Sequence, residues 1–492
     1  MLQIIENAKG KPNNRAIISN GRKYTYQELL RASQQFAAVL LNGKDDLDEA
    51  RVAFMVNPGF DYVKVQWAIW QAGGIIVPMC LTHPLPSLEY VLEDTGATIV
   101  VVSPEFEVFV QPLADQFKIK FIVLGKESAP EVNSLPDIDA SRRAMILYTS
   151  GTTNKPKGVV TTHNNLEAQI STLVKAWEWS ENDHTLCVLP LHHVHGIVNV
   201  VSCSLWSGAT CEFMNGFSAE EIFNLFEKGE LNVFMAVPTI YYKLITYWEA
   251  LPADKQLSLT NCMSSFRLMV CGSAALPVSV MEKWKTISGH TLLERYGMTE
   301  IGMAVSNPYH GERRAGYIGT PLPGVQVKLV NDQYAEVDLG EPGEILVKGN
   351  NVFSEYWNKP EATAKEFTAD GWFKTGDVAI VEDGYLRIMG RNSVDIIKSG
   401  GYKISALEIE EELRKHEHID DCAVVGIPND EWGELIVSAI VANNQQIDLD
   451  ELNKWLRGKM AAYKTPRKYL IVDELPRNAM GKVTKNDVKK LF

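Results

Sequence analysis

Short runs of β-branched and apolar residues alternate with longer amphipathic stretches along most of this chain. That alternation restricts its possible folds more than any other feature. Arg51–Met55, Thr98–Val102, Phe121–Leu124, Ala144–Tyr148 and Leu268–Cys271 read as strands, and Tyr26–Leu41 and Asp61–Gln71 read as helices from their apolar spacing. Strands separated by helices layer into sheets with helices packed on their faces, so the expected class is α/β. From about Gly319 to Ile388 turns replace the helices between Val325–Val330, Gly343–Val347 and Tyr385–Met389, and Asp383-Gly384 is a hairpin signal. This stretch is expected to form a small β-rich subdomain of a large N-terminal body of layered α/β sheets. The pattern then restarts. Ser405-Ala406-Leu407-Glu408 has the order of a capping box and opens a helix to about Lys415, followed by the strand Cys422–Val425 and the helix Leu449–Leu456. A boundary is expected near Gly390–Ser393, dividing a body over 1–390 from a small mobile α+β domain over 391–492.

Composition narrows the function. A chain of 492 residues with 46% hydrophobic and 22% charged residues has the make-up of a globular protein, not a fibre or a disordered chain. Its formal charge of −13 repels nucleic acid and anionic lipid, so any phosphate it binds must be held by local groups. No apolar run reaches the length of a membrane span, and Met1–Ala16 lacks the basic-then-apolar order of a signal peptide. The seven cysteines are scattered and none forms a CxxC pair. Buried thiols in a reducing, cytoplasmic compartment are expected, with no zinc cluster.

The densest chemical signal is Tyr148-Thr149-Ser150-Gly151-Thr152-Thr153-Asn154-Lys155-Pro156-Lys157-Gly158, which leaves the apolar run Ala144–Leu147. Hydroxyls, glycines and two lysines in one loop can surround a polyphosphate with donors and positive charge. The GK[ST] ending of a P-loop is absent. Shorter clusters of this kind are usually polar surface loops; here the length of the string favours phosphate binding.

The string resembles the phosphate-binding loop of the acyl-adenylate-forming enzymes, with Asn154 where glycine is usual. Further motifs of that family follow in its order: Tyr296-Gly297-Met298-Thr299-Glu300, Gly371-Trp372-Phe373-Lys374-Thr375-Gly376-Asp377, Gly390-Arg391, and Pro476-Arg477-Asn478-Ala479-Met480-Gly481-Lys482. The resemblance implies ATP, Mg²⁺ and coenzyme A as cofactors and co-substrates, and a carboxylic acid as the acceptor of AMP. It implies nucleotide contacts from Thr149, Ser150, Gly151, Thr152, Thr153 and Lys157. It also implies them from Gly272, Ser273 and Ala274, from Glu294, Arg295, Tyr296, Gly297 and Met298, and from Asp377 and Arg391. Glu300 would hold the metal, with Thr299 beside it on the α-phosphate. Two anions must meet in adenylation, so fixed cations are needed to stabilise the developing charge.

Lys482 lies in a tail whose residues 452–492 hold 11 Lys/Arg against 3 Asp/Glu. Most of these lysines read as a solvated face. Lys482, in the family's closing motif, would bridge the attacking carboxylate and the α-phosphate. The segment Gly390–Tyr402 resembles the family's hinge, with the pivot at Ser393 where Asp or Lys is commoner, and Gly400-Gly401 would let the backbone approach pantetheine closely.

For the acid, Leu189-Pro190-Leu191-His192-His193-Val194-His195-Gly196 is a poor zinc site and matches a substrate-side loop, so His193 and His195 are expected to line the acyl pocket. Arg267 and Arg313 are the expected partners of a second carboxylate, because an arginine buried in a fatty-acid pocket lacks a counter-charge. A role for Arg314, or a surface position for Arg313, is the alternative. Residues Glu294–Gly319, the histidine loop and Ser393–Lys398 resemble the malonyl-CoA/methylmalonyl-CoA synthetase branch of the family. The expected activity is therefore ATP-dependent adenylation of malonate or methylmalonate, followed by thioester formation with CoA. A medium-chain or aryl acid CoA ligase, a carrier-protein-loading enzyme and a non-catalytic nucleotide binder are the rival readings.

Overall fold

The computed structural model describes residues 2–127, 134–149, 155–443, 447–477 and 483–492, with only the backbone at position 403. Its contacts divide the chain into two compact units. The first comprises Met1–Ala315, Gly319–Gln326 and Val347–Phe373; the second comprises Gly316–Ile318, Val327–Leu346 and Lys374–Phe492.

Two mixed sheets carry the first unit. Among the described residues one has nine strands in the order Thr320–Pro321, Gly302–Ser306, Leu293–Met298, Leu268–Cys271, Val233–Ala236, His184–Cys187, Thr210–Phe213, Arg15–Ser19 and Arg22–Thr25. Its centre is parallel: Val270 faces Leu293 and Cys271 faces Glu294, so two strand ends open side by side. The other sheet has seven strands, ordered Glu355–Tyr356, Lys157–Thr162, Arg143–Thr149, Ile75–Pro78, Arg51–Met55, Ile99–Val102 and Lys120–Val123. Parallel strands covered by helices are apolar throughout, as Val52–Met55 and Leu268–Cys271 are. Trp284, Tyr241, Phe226 and Phe234 fill the core against the first sheet; Met55, Val77, Val100 and Leu92 fill that of the second.

Among the described residues the second unit holds a four-stranded sheet, ordered Gln326–Val330, Gly343–Lys348, Phe373–Glu382 and Tyr385–Arg391, and a five-stranded one. The latter pairs Tyr402–Ser405, Ile396–Ser399, Gly433–Ala442 and Ile419–Asn429 in that order, with Lys468–Ile471 beside Gly433–Ala442. Ser405 caps the helix Ala406–Leu413 by accepting from the Glu408 amide. The hairpin at Asp383-Gly384 has positive φ at both residues, as a tight two-residue turn requires. The class is α/β, as the alternating pattern implied, with a large N-terminal body of sheets and helices and a smaller C-terminal domain.

Candidate active site

In the first unit the strand Leu268–Cys271 ends in Gly272-Ser273-Ala274, beside the strand that carries Glu294, Arg295 and Tyr296. The Arg295 guanidinium packs against Gly272, where a Cβ would lie 2.6 Å from its Cζ, so a side chain there would displace the guanidinium. Ser273 adopts φ +71°, a left-handed conformation unusual for a side-chain-bearing residue and a mark of functional turns. That turn aims its hydroxyl at two groups: Oγ accepts from Arg295 Nη2 at 3.2 Å and lies 3.1 Å from His195 Nδ1. His195 opens a π-helical turn, His195–Ser202, and Gly196 packs against the Pro190 carbonyl. Such turns recur at functional sites.

The electrostatics of this corner are unusual. Arg295 is 3% exposed, its Nε has no hydrogen-bond partner, and no carboxylate pairs with it among the described residues. Burial pulls its pKa down to about 10, against the opposing pull of Cys271 and Glu294, so it stays charged at neutral pH. His195 is fully buried. Burial, with Arg295 and His193 nearby, holds its pKa well below the usual histidine range, and among the described residues its Nε2 also lacks a partner. A cation, a hydroxyl and a neutral imidazole thus converge with donors to spare. His193 is half-buried and stacks near His192, whose pKa burial lowers to about 3.

The two arginines expected to read a second carboxylate both meet groups of the protein itself. Arg267 donates from Nε and Nη2 to both oxygens of buried Asp183, at 2.6 and 2.7 Å, and from Nη1 to the Trp177 carbonyl. Burial works against its charge, but Asp183 raises its pKa overall. Arg313 donates from Nε, Nη1 and Nη2 to the carbonyls of Pro308, Thr291 and Tyr309, fastening a loop. Arg314 pairs with Glu312.

A second cluster gathers at the edge of the seven-stranded sheet. Thr149 faces Lys157 across the antiparallel pair that flanks the phosphate-loop string, and Tyr356 pairs with Val159 on the next strand. Lys157 Nζ sits 4.5 Å over the Tyr356 ring and 3.5 Å from Glu366. The Tyr356 hydroxyl donates to Glu300 Oε1 at 2.9 Å, and Glu300 is 5% exposed. A buried carboxylate oriented by a phenol offers the oxygen ligand that Mg²⁺ takes, and Mg²⁺ held by one carboxylate plus phosphate needs no larger ligand cluster. Tyr296 is buried, Thr299 and Met298 are half-buried, and Gly297 lies so close to the Gly302 carbonyl that a side chain is excluded. Ser150, Gly151, Thr152 and Thr153, and Lys482 in the tail, lie outside the described residues.

In the second unit Asp377 and Arg391 face each other on paired strands. Arg391 donates from Nε to Asp377 Oδ1 at 3.0 Å and from Nη2 to the Thr375 carbonyl, while Thr375 Oγ1 accepts from the Asp377 amide. The carboxylate is thereby fixed in place. Ser393 is exposed in the turn that follows. Gly400 and Gly401 have φ of +59° and +84° in the hairpin joining Ile396–Ser399 to Tyr402–Ser405, and Gly400 donates to the Trp432 carbonyl.

The sequence does not single out Tyr356, which the structure brings against Glu300. Tyr356 has no motif around it. Its place comes from a two-residue strand.

Comparison with known proteins adds the following. Residues 4–357 match the model of the AMP-binding enzyme family, and residues 408–482 that of the AMP-binding enzyme C-terminal domain. The mitochondrial malonate–CoA ligase of Bos taurus is 43% identical over 516 aligned residues, covering 97% of this chain and 88% of the relative. The crystal structure of ATP-bound MatB from Rhodopseudomonas palustris superposes with a TM-score of 0.90 at 32% identity, over 100% of this chain and 98% of that one. A malonyl-CoA ligase product complex with methylmalonyl-CoA and AMP gives 0.71 at 34% identity, over 97% and 100%.

Proposed function

The chain belongs to the AMP-binding enzyme family, and from that premise we propose that it is a malonate–CoA ligase whose distal-carboxylate receptor is Arg295. One carboxylate of malonate attacks the α-phosphorus of ATP and pyrophosphate leaves. The CoA thiol then attacks the acyl carbon of the adenylate and AMP leaves.

The observation that carries the dicarboxylate reading is the buried guanidinium with no carboxylate paired to it among the described residues. An alkyl or aryl tail would leave that cation uncompensated at a cost of several kcal/mol, whereas a second carboxylate supplies a fork-shaped partner. Ser273 orients the guanidinium, and neutral His195 completes the pocket without competing for the anion. Methylmalonate adds one methyl to the same dianion and is the second acid in the reading; the product complex with methylmalonyl-CoA supports it.

The remaining roles are those that the family resemblance implies. Lys157 and the hydroxyls from Thr149 to Thr153 take the phosphates; Tyr296 stacks on adenine, and Gly272, Ser273 and Ala274 border it. Glu294, Gly297 and Met298 hold this wall in place. Asp377, fixed by Arg391, accepts the ribose hydroxyls. Glu300, oriented by Tyr356, would hold Mg²⁺ with Thr299 on the α-phosphate. When bound, Mg²⁺ compensates phosphate charge. Lys482 serves the adenylation step, Ser393 the change between steps, and Gly400-Gly401 the pantetheine. The functional boundary is placed at 390/391.

Among the described residues no helix is long and apolar enough to cross a membrane. The seven cysteines are free and six are buried, which suits a reducing interior. We read that interior as the cytoplasm. The bovine relative is named mitochondrial, and cell fractionation separates the two compartments.

The test is ATP-dependent thioester formation by the purified protein with CoA and malonate, methylmalonate, butyrate, octanoate or benzoate. Malonate should exceed butyrate by on the order of a hundredfold in kcat/KM, about two decades at ~1.4 kcal/mol each. Comparable turnover of butyrate or octanoate would overturn the assignment.

A further inference from the structure

The second unit buries a lysine that neither half-reaction uses. Lys485 opens the short helix Lys485–Lys489, three residues after Lys482, and its side chain is 10% exposed. Its Nζ lies 2.6 Å from Asp395 Oδ1 and 2.7 Å from Glu410 Oε1. Both carboxylates have further duties. Asp395 Oδ2 accepts from the Arg391 amide at 2.9 Å, and the Asp395 side chain packs so closely on Gly390 that a Cβ there would come within 2.3 Å of it. Glu410 Oε1 accepts from the Val424 amide at 2.8 Å, and its Oε2 lies 3.5 Å from Arg414.

The charges continue beyond this trio. Arg414 Nε meets Asp421 at 3.4 Å, and Asp421 pairs in turn with Arg477. Arg477 and Lys485 stand on either side of Lys482 in the sequence. The two flanks also meet directly, because Arg477 bridges Val483 and the Thr484 amide donates to the Pro476 carbonyl at 2.9 Å. One ion-pair chain thus runs Arg477, Asp421, Arg414, Glu410, Lys485, Asp395 and ends on the backbone of Arg391. Its acids and bases alternate, so each buried charge has an opposite neighbour. Burial opposes the charge of Lys485, but its two carboxylates keep it protonated.

We propose that Lys485 is a positioning residue for adenylation: through Glu410 and Asp395 it fixes the chain flanking Lys482 to the turn 390–395. A lysine that must meet a phosphate and a carboxylate at once needs a rigid base, since small misplacements of reacting groups are costly. A solvated helix end would need no buried cation shared by two carboxylates. Asp395 links that base to the segment read as the pivot. The inference rests on the adenylate-forming reading above.

The experiment compares the two half-reactions in the full-length protein: malonate-dependent exchange of pyrophosphate into ATP, and thioester formation from supplied malonyl-adenylate and CoA. In Lys485→Met, adenylation should fall at least about tenfold further than thioester formation. Lys485→Arg, which keeps the cation, should hold the ratio of the two rates within about twofold of the wild type. Asp395→Asn, nearly isosteric and safer if the methionine variant does not fold, should shift the ratio in the same direction. Equal losses in both half-reactions, or a greater loss of thioester formation, would overturn the role. So would an arginine variant that folds normally yet behaves like the methionine one. A wild type that performs neither half-reaction would instead defeat the family-based reading, before any variant is compared.

Discussion

Around Arg295 the protein buries a cation and gives it a hydroxyl that a neutral imidazole also meets; around Lys485 it buries a cation and gives it two carboxylates. Both charges are removed from water, yet among the described residues only the second has carboxylates within ion-pair distance. Arg267, bound to both oxygens of Asp183, belongs with Lys485. Burying an unpaired charge is expensive, so a fold that leaves one open reserves it for an anion that arrives later. A closed pair, by contrast, contributes to structure, and its loss should register in stability before it registers in specificity. Open and closed cations can therefore be told apart by what their removal damages.

The largest expected effect on a closed charge is at Arg267. Arg267→Met strands the buried Asp183 carboxylate, and breaking such a pair costs about 3–5 kcal/mol. The unfolding midpoint should fall clearly, while the malonate-to-butyrate ratio of kcat/KM stays within about twofold of the wild type. Arg313 differs, since its partners are three carbonyls and no carboxylate among the described residues, but its donors are spent within the protein, so Arg313→Met should lower the midpoint to a smaller degree and leave the ratio unchanged. A selective loss of malonate activity in either variant would return that arginine to the substrate.

A smaller effect is expected at Glu382, a half-exposed closed charge. The Arg387 guanidinium, with help from the Tyr317 hydroxyl, lowers its pKa to about 2 against the opposing effect of burial. A carboxylate depressed in the folded state stabilises above its unfolded value near 4.5, and that contribution disappears as pH falls towards 2. Glu382→Gln should therefore cost about 1 kcal/mol at neutral pH, modest because the pair is partly solvated. The gap in unfolding midpoint between variant and wild type should close between pH 4.5 and 2. A gap that persists in acid would show that the pair is not its source.

Much of the architecture was legible because the local pattern and the tertiary environment agree. Tyr26–Leu41 and Leu268–Cys271 form over the residues their spacing marks, the helix buried on the face its apolar positions define and the strand buried throughout. The hairpin at Asp383-Gly384 and the Ser405 cap need no distant partner to form. What stayed hidden depends on residues far apart. Asp183 lies 84 positions from Arg267, and nothing near Arg313 foretells that Thr291 offers it a carbonyl from 22 positions away. Glu355–Tyr356 is a strand only because Val159 and Val160 pair with it, and so the link from Lys157 through Tyr356 to Glu300 is invisible in the sequence. An arginine's chemistry can be read from a chain, but whether its counter-charge comes from the protein or from a substrate cannot.

That last distinction is tested most directly at Arg295, by measuring kcat/KM for malonate and for butyrate in the wild type and in Arg295→Met. Losing one partner of a buried charge pair costs about 3–5 kcal/mol, so malonate should lose two to three decades or more at ~1.4 kcal/mol per decade. Butyrate should lose little or gain, since an uncompensated cation has been removed. The unfolding midpoint without substrate should hold or rise, because an apolar side chain replaces a buried charge with no carboxylate at ion-pair distance among the described residues. Parallel losses on both acids with a lowered midpoint, or undiminished malonate activity, would contradict the assignment of Arg295 as the open cation that reads the second carboxylate.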